Sequence, residues 1–69
     1  MKVKILNDNN DRFLIFFQFH IFYEISKVRN EWHIWEYNDE PHLIQIEPSL
    51  ERAIHFVYAK IREHCPGEI

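Results

Sequence analysis

The sequence predicts an α+β fold: an antiparallel meander sheet of three to four strands, closed by one C-terminal amphipathic helix on one face. Two observations carry this expectation. Up to residue 46 the chain reads as short runs of strand-prone residues separated by clusters of Asn, Asp and Pro. After residue 48 the apolar residues recur at helical spacing.

The elements follow in order. Lys2, Val3, Lys4 and Ile5 alternate as a half-buried strand does. Asn7, Asp8, Asn9, Asn10 and Asp11 then favour a reversal, because Asn and Asp tolerate left-handed backbone and bond to their own main chain. Over residues 13–28 the odd positions Phe13, Ile15, Phe17, Phe19, Ile21, Tyr23 and Ile25 are apolar in period two. Phe, Ile and Tyr prefer strands and alanine is absent here, so a strand is expected rather than a helix. Straight, it would run about 53 Å at ~3.3 Å per residue. A domain of this length has a radius of gyration of only about 11 Å. The expectation is therefore one long strand that either protrudes from the domain or, as preferred, bends through a bulge near residues 18–22, pairing with the first strand along one half and with the next along the other.

Arg29, Asn30 and Glu31 are read as a tight turn. A third strand spans residues 32–37, with Trp32, Ile34 and Glu36 on one face and His33, Trp35 and Tyr37 on the other. Residues 38–41 form another turn, and residues 42–46 a short edge strand. Pro48 and Ser49 open the helix as first-turn proline and cap. Leu50, Ala53, Ile54, Val57, Tyr58 and Ile61 make its apolar stripe. Pro66 and Gly67 stop it.

Composition sets what this fold can do. A chain of 69 residues is expected to be a single domain over residues 1–69. Such a domain buries only about 60% of its unfolded surface, so it needs a dense core, a metal or a partner. Cys65 is the only cysteine, which excludes an internal disulfide. Aromatic residues reach 16%, enough to anchor a small core. The net charge of −3 argues against DNA or an anionic membrane as the main partner, since both are held by cationic patches. Residues 1–11 lack the apolar core of a leader peptide, and the longest apolar stretch is interrupted by Gln18, His20 and Glu24. A cytoplasmic location without membrane contact is expected, and the size suggests a bacterial or phage accessory protein.

Catalytic chemistry finds little support. Ser26 and Ser49 have no glycine neighbours of the kind that build a nucleophile elbow. Gly67 is the only glycine, so no phosphate-cradling loop can form. His64 and Cys65 are adjacent and do not face each other on a helix. Glu24, Glu36, Glu40 and Glu47 could serve as acid and base only within a cleft, which one sheet and one helix rarely enclose. His20, His33, His42, His55 and His64 show no ligand spacing for zinc. No catalytic residue, cofactor or metal is assigned, and the chain is read as non-enzymatic.

The surplus of apolar faces is the most informative feature. One helix covers one face of a sheet. The odd positions of residues 13–25 can receive it, which leaves Leu14, Phe16 and Phe22 on the other face, with either Trp32 and Ile34 or Trp35 and Tyr37. Large exposed apolar patches mark interaction surfaces. The first reading is thus an accessory or regulatory protein–protein interaction module, homodimeric through an aromatic-rich sheet face drawn from Phe16, Phe22, Trp32, Trp35 and Tyr37. A heteromeric protein partner fits the same patch. The second reading is a nucleic-acid-binding domain that uses the sheet aromatics with Arg52, Lys60 and Arg62. The third is a small histidine–metal protein built on His20 and His33.

Overall fold

A computed structural model of the chain describes residues 4–9, 11–16 and 21–64. It contains five strands, β1 (Lys4–Asn9), β2 (Arg12–Phe16), β3 (Ile21–Val28), β4 (Glu31–Asn38) and β5 (Glu40–Glu47), followed by one helix, α1 (Leu50–His64). The strands form a single antiparallel sheet in the order β1-β2-β3-β4-β5. This is the α+β meander with a C-terminal helix, with one or two strands more than the sequence suggests.

The extra strand comes from residues 13–28. They form two strands rather than one bent strand: β2 and β3 pair antiparallel, with Phe16 opposite Phe22 and Ile15 opposite Tyr23. The expected bend at residues 18–22 falls mostly on residues 17–20, outside the described part. The reversal keeps odd residues opposite odd ones, so the period-two pattern runs through it unchanged. Pairing two strands also satisfies the backbone groups that a single protruding strand would leave to solvent.

The other turns are tighter than expected. β1 runs on to Asn9, which lies opposite Arg12, so Asn7, Asp8 and Asn9 belong to the strand rather than to the turn. Val28 pairs with Glu31, so the β3–β4 turn holds only Arg29 and Asn30. Arg29 adopts a φ of 59°, the left-handed conformation that a two-residue hairpin demands at its first central position. Asn38 pairs with Glu40 around Asp39, whose φ is 71°. Asp accepts this region more readily than most residues.

The helix begins where its cap chemistry places it. Ser49 Oγ accepts a 3.2 Å hydrogen bond from the Arg52 amide, and the Ser49 carbonyl accepts the first helical bond from Ala53 at 3.1 Å. Ser49 is thus the N-cap. Pro48 precedes the cap rather than occupying the first helical turn. Glu51 places a negative charge in that turn, where it complements the macrodipole. Pro66 and Gly67 lie outside the described residues.

Helix α1 packs on one face of the sheet, over β3, β4 and β5. The core between them consists of Ile15, Tyr23, Ile25 and Ile34 from the strands and Ala53, Val57 and Ile61 from the helix, all fully buried. Phe13, Trp32, Ile44, Leu50, Ile54, Phe56 and Tyr58 pack around it and are partly buried. The Tyr23 hydroxyl, inside this layer, donates a 2.8 Å hydrogen bond to Glu36 Oε2. Burial, then the bond to Glu36 and the charges of Glu36 and Glu63, push the Tyr23 phenol well above its ordinary value of 10.0. Among the described residues no helix is long and apolar enough to cross a membrane.

Candidate interaction surface

The strand register sorts every side chain onto one of two faces, because residues directly opposite each other share a face. Ile25 lies opposite Ile34, and Lys27 opposite Trp32. Trp32 therefore belongs to the helix side. There its ring centroid is 6.2 Å from that of Phe13, and the Lys27 ammonium lies 5.9 Å from it. Its membership of the aromatic open face is corrected accordingly. Phe16, Phe22, Trp35 and Tyr37 do share the face that α1 leaves uncovered.

That open face is a grid of cross-strand rows. One row runs Lys4, Phe16, Phe22, Tyr37 and Pro41 across the five strands. The next runs Leu6, Leu14, Glu24, Trp35 and Leu43. A third holds Arg12, Ser26, His33 and Ile46, and Val28 with Glu31 closes the end. Among the described residues the exposed large apolar side chains are Ile5, Leu6, Val28, Leu43 and Ile46. All except Ile5 stand on this face.

The first row is an aromatic ladder. The Phe16 and Phe22 centroids are 5.0 Å apart, and those of Phe22 and Tyr37 are 4.5 Å apart with only 4° between the ring planes. Neighbouring strands are spaced ~4.8 Å. Rings stacked across that spacing turn their faces toward one another and their edges outward.

The centre of the face is polar and closed on itself. Glu24 is 9% exposed although α1 packs on the other face of the sheet. Its Oε2 accepts hydrogen bonds from Ser26 Oγ at 2.6 Å and from Arg12 Nε at 3.0 Å, and its Oε1 accepts one from the Tyr37 hydroxyl at 2.7 Å. Burial pushes the Glu24 carboxyl up, but the bonds from Ser26, Tyr37 and Arg12, with the Arg12 charge, outweigh it and hold the group below its ordinary value of 4.5. The same contact raises the Tyr37 phenol, chiefly through the bond to Glu24 and secondarily through burial. Sequence reasoning misses this network. Its signal is a glutamate in a strand that is apolar on both faces, where a charge must have partners.

The remaining candidates are dispersed. Glu24 and Glu36 lie on opposite faces of the sheet, and Glu40 is exposed beside the β4–β5 turn. Glu47 accepts a 2.7 Å bond from Gln45 at the end of β5. His33 Nε2 is buried without a hydrogen bond, with Glu31 Oε1 3.8 Å away. His20, the proposed second metal ligand, and Cys65 lie outside the described residues. Among the described residues no group of three His, Cys, Asp or Glu is placed to hold a metal. Arg52, Lys60 and Arg62 ride on α1, on the opposite side of the sheet from the aromatic ladder. A shallow groove lined by Ile54, His55, Tyr58 and Arg62 runs along α1.

No protein-family model matches this chain, and comparison with curated proteins and with solved structures finds no similar one.

Proposed function

We propose that this protein is a small non-enzymatic interaction module that binds a second copy of itself through the open face of its sheet, in an accessory or regulatory role within the cytoplasm. The observation that supports this reading is the one-sided placement of α1. The helix leaves Leu14, Phe16, Phe22, Trp35 and Tyr37 on a face that also carries the exposed Leu6, Val28, Leu43 and Ile46. Apolar side chains gathered on one open face in this way mark surfaces where chains meet. Twofold pairing is the commonest way for a chain to cover such a patch.

The aromatic face supports nucleic-acid binding less well. Base stacking requires ring faces turned outward, with cations alongside. Here the rings of Phe16, Phe22 and Tyr37 stack on one another. Arg12 is engaged by Glu24, the helix cations lie behind the sheet, and Lys4 is the one lysine in the row of rings among the described residues.

Molar mass by light scattering over a hundredfold concentration range, at low salt and at 0.5 M salt, tests the proposal. The expected result is a salt-resistant mass twice that of the 8.6 kDa chain. Leu43→Glu, at a position already 44% exposed, should return it to a monomer without unfolding it. A wild-type monomer at every concentration refutes the reading.

A further inference from the structure

The two edges of the sheet are built differently. The edge formed by β5 is guarded. Pro41 has no amide hydrogen to offer, and Ile44 is an extra residue between the pairs Ile34–Gln45 and Trp35–Leu43. Proline and bulges on an outer strand oppose the addition of another strand. The edge formed by β1 holds no proline, and its register shift is confined to the turn end, between Asn7 and Asn9. Over residues 4–7 β1 pairs regularly with β2, and it ends the sheet.

β1 is also apolar on both faces. Ile5 lies opposite Ile15 on the helix side, and Leu6 lies opposite Leu14 on the open side. The two are 45% and 43% exposed. α1 packs over β3, β4 and β5, so Ile5 stands beyond its reach. An outer strand that is apolar and unblocked is a template for pairing with another strand.

We infer that β1 pairs antiparallel with β1 of a second copy, joining two five-stranded sheets edge to edge. Closure argues for a second copy as the partner. A twofold pair uses both open edges and leaves the guarded β5 strands outermost, so growth stops at two. The strand also suits its own antiparallel image. Opposite residues share a face, so the twofold axis must pass through a residue position rather than between two. Centred on Ile5, it sets Ile5 against Ile5 and extends the helix-side row of Tyr23, Ile15 and Ile5 into its counterpart. Lys4 then lies opposite Leu6 of the second copy, where its methylenes cover the leucine and its ammonium reaches water. No Lys4 meets its own image. Residues 4–7 span about 13 Å at ~3.3 Å each. A seam one strand deep and of that length buries less than the ~800 Å² per partner of a standard interface, and such contacts are weak. The edge contact therefore forms at higher concentration than the open-face contact and uses none of its aromatic residues.

The test follows molar mass by sedimentation equilibrium from micromolar to millimolar concentration, with amide hydrogen exchange along β1 and β5. It uses wild type and Leu43→Glu, the substitution that disables the open face. The expected Leu43→Glu chain is single at micromolar concentration and doubles its mass at millimolar, with exchange slowed along β1 and unchanged along β5. Wild type should double its micromolar mass over the same range. Ile5→Lys, at a position already exposed, sets like charges opposite each other and should abolish the doubling in both backgrounds. Ile5→Val should keep it. A Leu43→Glu chain that stays single at millimolar concentration overturns the inference while leaving the open-face reading intact. A doubling that survives Ile5→Lys, or that slows exchange along β5 instead of β1, also overturns it. Should Ile5→Lys fail to fold, the exchange pattern of the parent chains decides. A wild type that is single at micromolar concentration and pairs at millimolar through Ile5 removes the open-face reading and leaves this inference standing.

Discussion

The Tyr37 hydroxyl donates a 2.7 Å hydrogen bond to Glu24 Oε1 while the Tyr37 ring lies 4.5 Å from Phe22 and nearly parallel to it. One side chain thus joins the aromatic ladder to the polar centre. Tyr37→Phe separates the two roles, because it keeps the ring and deletes the donor. Loss of a hydrogen bond to a charged acceptor should cost about 1.5–3 kcal/mol, at the low end here because Ser26 and Arg12 remain. Urea unfolding measures it. An unchanged midpoint would mean that the bond contributes nothing to folding.

Glu24 should also shape the acid limb of stability. Its folded pKa is held below the unfolded value of 4.5. Between those two values the unfolded chain binds a proton that the folded chain does not, so stability falls as pH falls. The contribution of this group is present above pH 4.5 and is lost as pH drops through the folded value. Urea midpoints from pH 6 to pH 3 should show this decline, and Glu24→Gln should make it shallower. An identical acid limb in the variant would place the sensitivity in other carboxylates.

The two tryptophans should separate folding from association. Trp32 packs against the core on the helix side, beside Phe13. Trp32→Ala should destabilise the fold by about 3 kcal/mol, the low end for a large aromatic because the ring is only partly buried. Trp35 stands on the open face opposite Glu24 and Leu43. Trp35→Ala should change the unfolding midpoint less and the dimer dissociation constant more. Equal effects of both variants on folding, with none on mass, would contradict this division.

The same pair shows how far the sequence can be read. Its alternation identifies the strands, the helix and an apolar second face, but turn length decides which face each strand shows. A three-residue turn at Arg29, Asn30 and Glu31 would set Val28 opposite Trp32 and put Trp32 on the open face. The two-residue turn sets Val28 opposite Glu31 and sends Trp35 there instead. The β2–β3 reversal escapes notice for a related reason: Phe16 opposite Phe22 preserves parity, so one strand and a hairpin leave the same pattern. Along the helix, Ala53, Val57 and Ile61 are fully buried while Ile54 sits at the margin. Period alone does not rank positions within a stripe. The Glu24 network depends on side chains from three strands meeting across the sheet, which needs the register before it can be seen.

Tyr23 should govern the alkaline limb. Its hydroxyl is buried between sheet and helix and donates to Glu36, and its pKa is raised above the 10.0 of a solvated phenol. Above pH 10 the unfolded chain releases this proton while the folded chain retains it. Stability therefore falls as pH rises past 10. Tyr37, raised for a similar reason, adds to the decline with the same sign. Tyr23→Phe should flatten most of that decline between pH 10 and 11.5. At pH 7 it should cost about 1–2 kcal/mol through the lost bond to Glu36. Chemical unfolding at a series of pH values separates the two effects. A variant that loses stability at pH 7 but keeps the full alkaline decline would assign that decline to Tyr37 instead.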